Sequence, residues 1–116
     1  MYKEGCIFCG IARRKINAKA VFEDGEILAF DDKTPQAPVH VVIIPKDHID
    51  SLSDTADEAS LLVGNLIMTA KKIAIQKKIS ESGYRVVINC NQDGGQAVFH
   101  LHAHLLGGRA LGWPPG

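Results

Sequence analysis

The sequence predicts an α+β fold, an antiparallel five-stranded sheet carrying one long and one short helix. Three observations predict it. Short apolar runs of strand length are separated by Gly-, Pro- and Asn-containing turns, one long segment repeats its apolar residues at helical spacing, and the order is three strands, the long helix, then two strands. At 116 residues, 46% of them apolar, the chain has the size and core-forming content of one domain covering 1–116.

The segment Cys6 to Arg14 has apolar residues at 7, 8, 11 and 12 and basic residues at 13 and 14, the pattern of a short amphipathic helix. Ala20-Val21-Phe22 and Ile27-Leu28-Ala29-Phe30 flank Glu23-Asp24-Gly25-Glu26, a polar link of hairpin length. Pro35 and Pro38 lack amide donors, so Thr34 to Pro38 is a loop that gives way to the strand His40 to Ile44, closed by Pro45. From Thr55 onward, apolar residues at 59, 62, 63, 66, 67, 70, 73 and 74 form the stripe of an amphipathic helix. Thr55 and Glu58 have the spacing of a capping box, and Lys71, Lys72, Lys77 and Lys78 fall late, where the helix dipole favours cations. Gly83 ends the connection. Tyr84 to Asn89 reads as a strand, Asn91 to Gln96 as a loop, and Val98 to Leu106 as the last strand before a Gly- and Pro-rich tail.

Thirteen basic residues balance thirteen acidic ones, so no long-range field gathers nucleic acid or a membrane surface, and any phosphate recognition is local. No run reaches the roughly 20 apolar residues of a membrane span and no leader pattern opens the chain, so the expected location is cytoplasmic. Three cysteines do not make a disulfide framework and fit a reducing compartment.

The chemistry concentrates in His100-Leu101-His102-Ala103-His104. On a strand, alternate side chains share a face, so the three imidazoles project together while Phe99, Leu101, Ala103 and Leu105 point the other way. Packing does not call for three alternating imidazoles on an otherwise apolar strand. Imidazole serves as a metal ligand or as a nucleophile and proton carrier. Residues at i, i+2 and i+4 converge only partly on one ion, so nucleophilic use of the central His102 fits better than a purely metallic site. The loop Asp93-Gly94-Gly95-Gln96-Ala97 precedes the row, and its glycines let backbone amides approach anionic oxygens. His48, standing alone, is read as a structural histidine.

The run from Asp93 to Arg109, with its His-φ-His-φ-His-φ-φ pattern in which φ is apolar, resembles the signature of the histidine triad (HIT) family. Ile7-Phe8, Phe30-Asp31-Asp32, Pro35 to His40, Ile44-Pro45-Lys46, Gly83-Tyr84-Arg85 and Trp113-Pro114-Pro115-Gly116 resemble its Hint branch, the purine nucleoside phosphoramidases, so the likeness covers practically the whole chain. The resemblance implies a homodimer with one continuous sheet across both subunits and a purine nucleotide or nucleotidyl conjugate as ligand. It implies that His102 attacks the α-phosphorus to form a nucleotidyl-histidine that water resolves. By the same carry-over His104 holds phosphate oxygens and His100 orients its neighbour or serves a metal. Asp32 matches the acid on the ribose hydroxyls with Lys33 beside it, and Asn89 with the amides of Gly95, Gln96 and Ala97 matches the phosphate-contacting set. Phe8, Phe22, Ile27 and Phe30 are candidates for the base slot or for ordinary core. Many Hint-branch proteins have a serine where this chain has Ala97, which leaves protonation of the departing amine without that hydroxyl. The rival activities are a nucleotide sensor or scaffold with vestigial catalysis, and a dinucleoside polyphosphate hydrolase, which the tail disfavours.

Cys6 and Cys9 have the spacing that lets two thiolates share one zinc ion. Some histidine triad proteins and the related uridylyltransferases have an arrangement that this chain resembles, with His40 and His100 as the other two ligands of a structural zinc. The alternatives are two small apolar side chains on a buried helix face, and a redox pair, which the missing βαβ context disfavours.

Overall fold

The computed structural model describes residues 1–116 and forms a five-stranded antiparallel sheet with a helix on each face. Helix α1 spans Ile7–Ala12. Strands β1 (Ala20–Glu23), β2 (Ile27–Asp31) and β3 (Val39–Pro45) follow, then helix α2 (Ser60–Gln76) and strands β4 (Tyr84–Val87) and β5 (Ala103–Gly107). The spatial order is β1-β2-β3-β5-β4, with β4 at one edge. No helix is long and apolar enough to cross a membrane.

The predicted hairpin forms as written. Asp24 closes it, its carboxylate accepting the amides of Glu26 and Ile27 at 2.8 Å each, and those two bonds hold its pKa below the ordinary value. Strand alternation then sorts the side chains by face. Ile27, Ala29, Val41, Ile43, Ala103 and Leu105 pack under α2, against Leu66, Ala70, Ile73 and Ala74. Leu28, Phe30, Val42 and Ile44 point to the opposite face, where α1 supplies Phe8, Ile11 and Ala12. The histidines project on the α1 face, because Val42 is the register partner of His104.

Four boundaries differ from expectation. The helix begins at Ser60, not near Thr55: the Thr55 hydroxyl donates to the Leu52 carbonyl at 2.7 Å, closing a preceding 3-10 turn, and no capping box forms. Lys77 is the residue that ends α2 and Lys78 adopts a left-handed conformation, so only Lys71 and Lys72 lie within the helix. β4 stops at Val87 and β5 starts at Ala103, so Val98 to His102 lie outside the ladder. The cause is competition for backbone groups. The Leu101 amide donates to Ile49 O at 2.6 Å, the Val98 carbonyl accepts from the Gln96 side chain, and the His100 carbonyl is taken by His102.

Alternation nonetheless persists through that segment, since Leu101 joins the core under α2 while His100 and His102 are buried on the other side. Phe99 departs from the expected inward set and is 48% exposed. α2 also carries a second apolar face, with Leu61, Ile67, Met68 and Ile75 exposed.

Candidate active site and metal centre

A neutral imidazole carries one proton, so whichever nitrogen donates leaves the other as a lone pair. In this chain the neighbours decide which nitrogen that is. His102 Nδ1 lies 2.7 Å from the His100 carbonyl, which can only accept, so Nδ1 holds the proton and the buried Nε2 is a free lone pair. For His100 the reverse holds. Its Nε2 donates to the Pro45 carbonyl at 2.7 Å, leaving Nδ1 facing Cys6 Sγ at 3.3 Å and Cys9 Sγ at 3.5 Å.

His104 is set through a longer chain. The Gln36 amide donates to His40 Nδ1 at 3.0 Å, which forces the His40 proton onto Nε2. That nitrogen lies 2.9 Å from His104 Nδ1 and 3.4 Å from Asp32 Oδ2. His104 therefore accepts at Nδ1 and keeps its own proton on Nε2, available as a donor. Asp32, His40 and His104 lie at ligand-like separations, but the proton on His40 Nε2 makes the trio a hydrogen-bond relay and not a metal site.

Burial keeps these rings neutral. It pushes His100 down to about 4 against the opposing pull of the Pro45 carbonyl, and pushes His104 down to about 4 with His102 and His40 adding to the effect. His102 and His40 are lowered for the same first reason. Phe8 of α1 stacks edge-on against the His102 ring at 5.0 Å and so fixes its plane.

The four closely grouped thiol and imidazole donors are Cys6, Cys9, His48 and His100, with all ligand atoms within 4.8 Å of one another. This corrects the expected set, in which His40 stood in place of His48. The antiparallel register explains the exchange: His40 pairs opposite Leu106, at the far end of the row, whereas His100 lies beyond the Pro45 end of β3, where the chain continues to His48. His48 Nδ1 is 3.3 Å from Cys9 Sγ, and its Nε2 donates to Asp50 Oδ1 at 2.5 Å. The sequence signal for His48 was Asp50, a carboxylate two residues away able to orient the ring. α1 carries both sulfurs to this point. Cys6 caps it by accepting the Cys9 amide at 3.3 Å, and the Lys3 amide donates to Cys9 Sγ at 3.3 Å.

A cavity of about 590 Å³ opens beside the row, walled by Ile7, Phe8, Ile11, Phe30, Val42 and Val98, with Asp32 and Lys33 also lining it. Of the four base-slot candidates, Phe8 and Phe30 line this space. Phe22 and Ile27 pack in the core under α2. Asn89 is half-buried just past β4. In the loop, the Gly95 amide donates to Gln92 O at 3.0 Å and the Gln96 amide to Asn91 O at 3.1 Å. Only the Ala97 amide of the expected trio has no acceptor within the chain. The Gln96 side chain, unremarked in the sequence, is buried and fully hydrogen-bonded.

The model of the HIT domain matches residues 13–111. A purine nucleoside phosphoramidase of Escherichia coli is 47% identical over 109 residues, 94% of this chain and 92% of that protein. A HIT-like protein of Synechococcus elongatus is 53% identical over 113 residues, covering 97% and 98%. Among solved structures, a HIT family hydrolase from Legionella pneumophila superposes with a TM-score of 0.94 at 54% identity, covering 97% of this chain and 100% of that one.

The proton positions are directly measurable. Long-range nitrogen–proton correlation spectra at neutral pH are expected to find His40, His100 and His104 protonated at Nε2 and His102 alone at Nδ1. A His102 ring protonated at Nε2 would remove the free lone pair.

Proposed function

This chain belongs to the HIT domain family, and from that premise we propose that it is a nucleotide-binding hydrolase, one HIT domain over 1–116, that cleaves nucleoside 5′-phosphoramidates or related nucleotidyl conjugates. The observation that carries this reading is the unpartnered Nε2 of buried His102, held in register by a carbonyl behind it. That lone pair attacks the α-phosphorus, the phosphorus–nitrogen bond breaks, and the amine leaves with a proton from solvent. Water then cleaves the nucleotidyl-histidine to the monophosphate. His104 Nε2–H and the Ala97 amide hold the phosphate oxygens, as donors that need not reorient when charge builds there. Asp32 accepts from the ribose hydroxyls, and the Phe8 and Phe30 slot takes the base. The purine preference rests on the name of the Escherichia coli relative.

If His102 is the nucleophile, His102→Ala lowers single-turnover cleavage of adenosine phosphoramidate by several orders of magnitude, because the two-step route is deleted. Adenosine monophosphate should still bind within about tenfold, a difference of about 1.4 kcal/mol, through His104, Ala97 and Asp32. Equal rates in both proteins would take His102 out of the chemistry, and a wild type inert toward every nucleotidyl conjugate would favour a sensor.

Cys6, Cys9, His48 and His100 further suit one structural zinc ion. Tetrahedral zinc with Zn–S near 2.3 Å and Zn–N near 2.1 Å sets its sulfur and nitrogen ligands about 3.6 Å apart, and the separations here are 3.3–3.5 Å. Both imidazoles offer lone pairs inward and protons outward to Pro45 O and Asp50. Burial raises the Cys9 thiol pKa, so a thiolate there calls for a compensating cation. Bound zinc would supply a redox-inert anchor for these four side chains, and His100 presents its carbonyl to His102. Metal analysis of untagged protein should find about one equivalent per chain, lost in His48→Ala and kept in His40→Ala. Less than about a tenth of an equivalent, with thiols intact, would overturn the assignment.

The free edge of β4 and the exposed apolar residues of α2 support a homodimer whose sheet continues from one subunit to the next. Analytical ultracentrifugation at micromolar concentration should return the dimer mass; a monomer alone would contradict it. A cytoplasmic location accords with the three free thiols.

A further inference from the structure

In the function proposed above, the loop from Asn91 to Val98 supplies one amide to the phosphate, that of Ala97, which has no acceptor within the chain. Its own backbone bonds are few: Gly95 to Gln92 and Gln96 to Asn91. The remaining hydrogen bonds that tie it down come from one side chain. Gln96 Oε1 accepts from the Asn91 amide at 2.9 Å, and Nε2 donates to the Val98 carbonyl at 3.0 Å and to the Asp50 carbonyl at 2.8 Å. Both ends of the loop are thereby tied together and to the His48–Asp50 segment. That segment is itself fixed to the row, since Ile49 O accepts the Leu101 amide at 2.6 Å.

We propose that Gln96 is the positioning residue of the phosphate site: its side chain, and not its backbone amide, determines where the Ala97 N–H points. The deduction uses what a carboxamide alone offers. One acceptor and two donors meet one amide and two carbonyls, and the group is 7% exposed, so water does not replace a lost partner cheaply. Its amide is already spent on Asn91 O and is not free for a ligand. Gly95, with a φ of 77°, supplies the left-handed turn that lets the side chain fold back beneath its own loop. Asp32, Phe8 and Phe30 sit on other elements and make no bond to this brace, and Val98, which lines the same cavity, meets it through its backbone carbonyl and not through its side chain.

The inference rests on the nucleotide-binding reading, and its test separates the two. Gln96→Met keeps the length and volume of the side chain and removes all three bonds. Calorimetric or NMR titration with adenosine monophosphate and with adenosine is run on wild type and variant. The expected result is at least a tenfold weaker monophosphate affinity with adenosine affinity within twofold, and metal content unchanged. Gln96→Glu, which keeps the acceptor and loses both donors, should behave alike. A wild type that binds neither ligand fails the nucleotide reading and takes the inference with it. A wild type that binds the monophosphate, with variants within twofold of it, overturns the inference alone. Equal loss for both ligands, or failure of both variants to fold, makes Gln96 a determinant of the fold and overturns it as well.

Discussion

A neutral imidazole has one proton to place, and in this chain backbone groups place it. His102 must donate from Nδ1 because a carbonyl sits 2.7 Å away, and His40 must accept at Nδ1 because an amide sits 3.0 Å away. Those two constraints require the surrounding architecture. A carbonyl is free for His102 only because residues 98–102 leave the β3 ladder, and an amide reaches His40 only because the proline-bounded loop folds back over the start of β3. Regular pairing through His100 would have consumed the groups that set the tautomers.

Burial supplies the second half of the constraint. Tautomers are defined only while the rings are neutral, and desolvation lowers His100, His102, His104 and His40 together. α1, only six residues long, contributes much of that burial: Phe8 covers His102, and the preceding Cys6 caps the helix while facing His100. The reactive row and the thiol–imidazole cluster therefore share a member, His100, whose ring belongs to one and whose carbonyl belongs to the other.

What was legible in the sequence follows from periodicity and local chemistry. Strand alternation placed His100, His102 and His104 on one face, the Asp24 hairpin was readable from its turn residues, and the apolar stripe found α2. What was not legible depends on which distant partner wins a given group. Thr55 had the spacing of a cap, yet the Leu52 carbonyl took its hydroxyl; β5 began late because Ile49 took the Leu101 amide. Choosing between His40 and His48 required the register of β3 against β5, a non-local quantity that spacing along the chain does not contain.

The same accounting separates binding from departure in the proposed reaction. On that proposal position 97 would act through its amide, which has no acceptor within the chain, and alanine keeps that amide. It does cost a hydroxyl that could have carried a proton to the leaving group. The four imidazoles of the row and relay do not replace it, because each is held neutral and each of their protons is already committed to a carbonyl, a neighbouring ring or the phosphate itself. On the proposed reading the departing group draws its proton from water, since none of the four rings offers one. If the reaction runs as proposed, the rate of departure would depend on the leaving group's own basicity, and conjugates whose leaving group departs with little proton assistance would be served best.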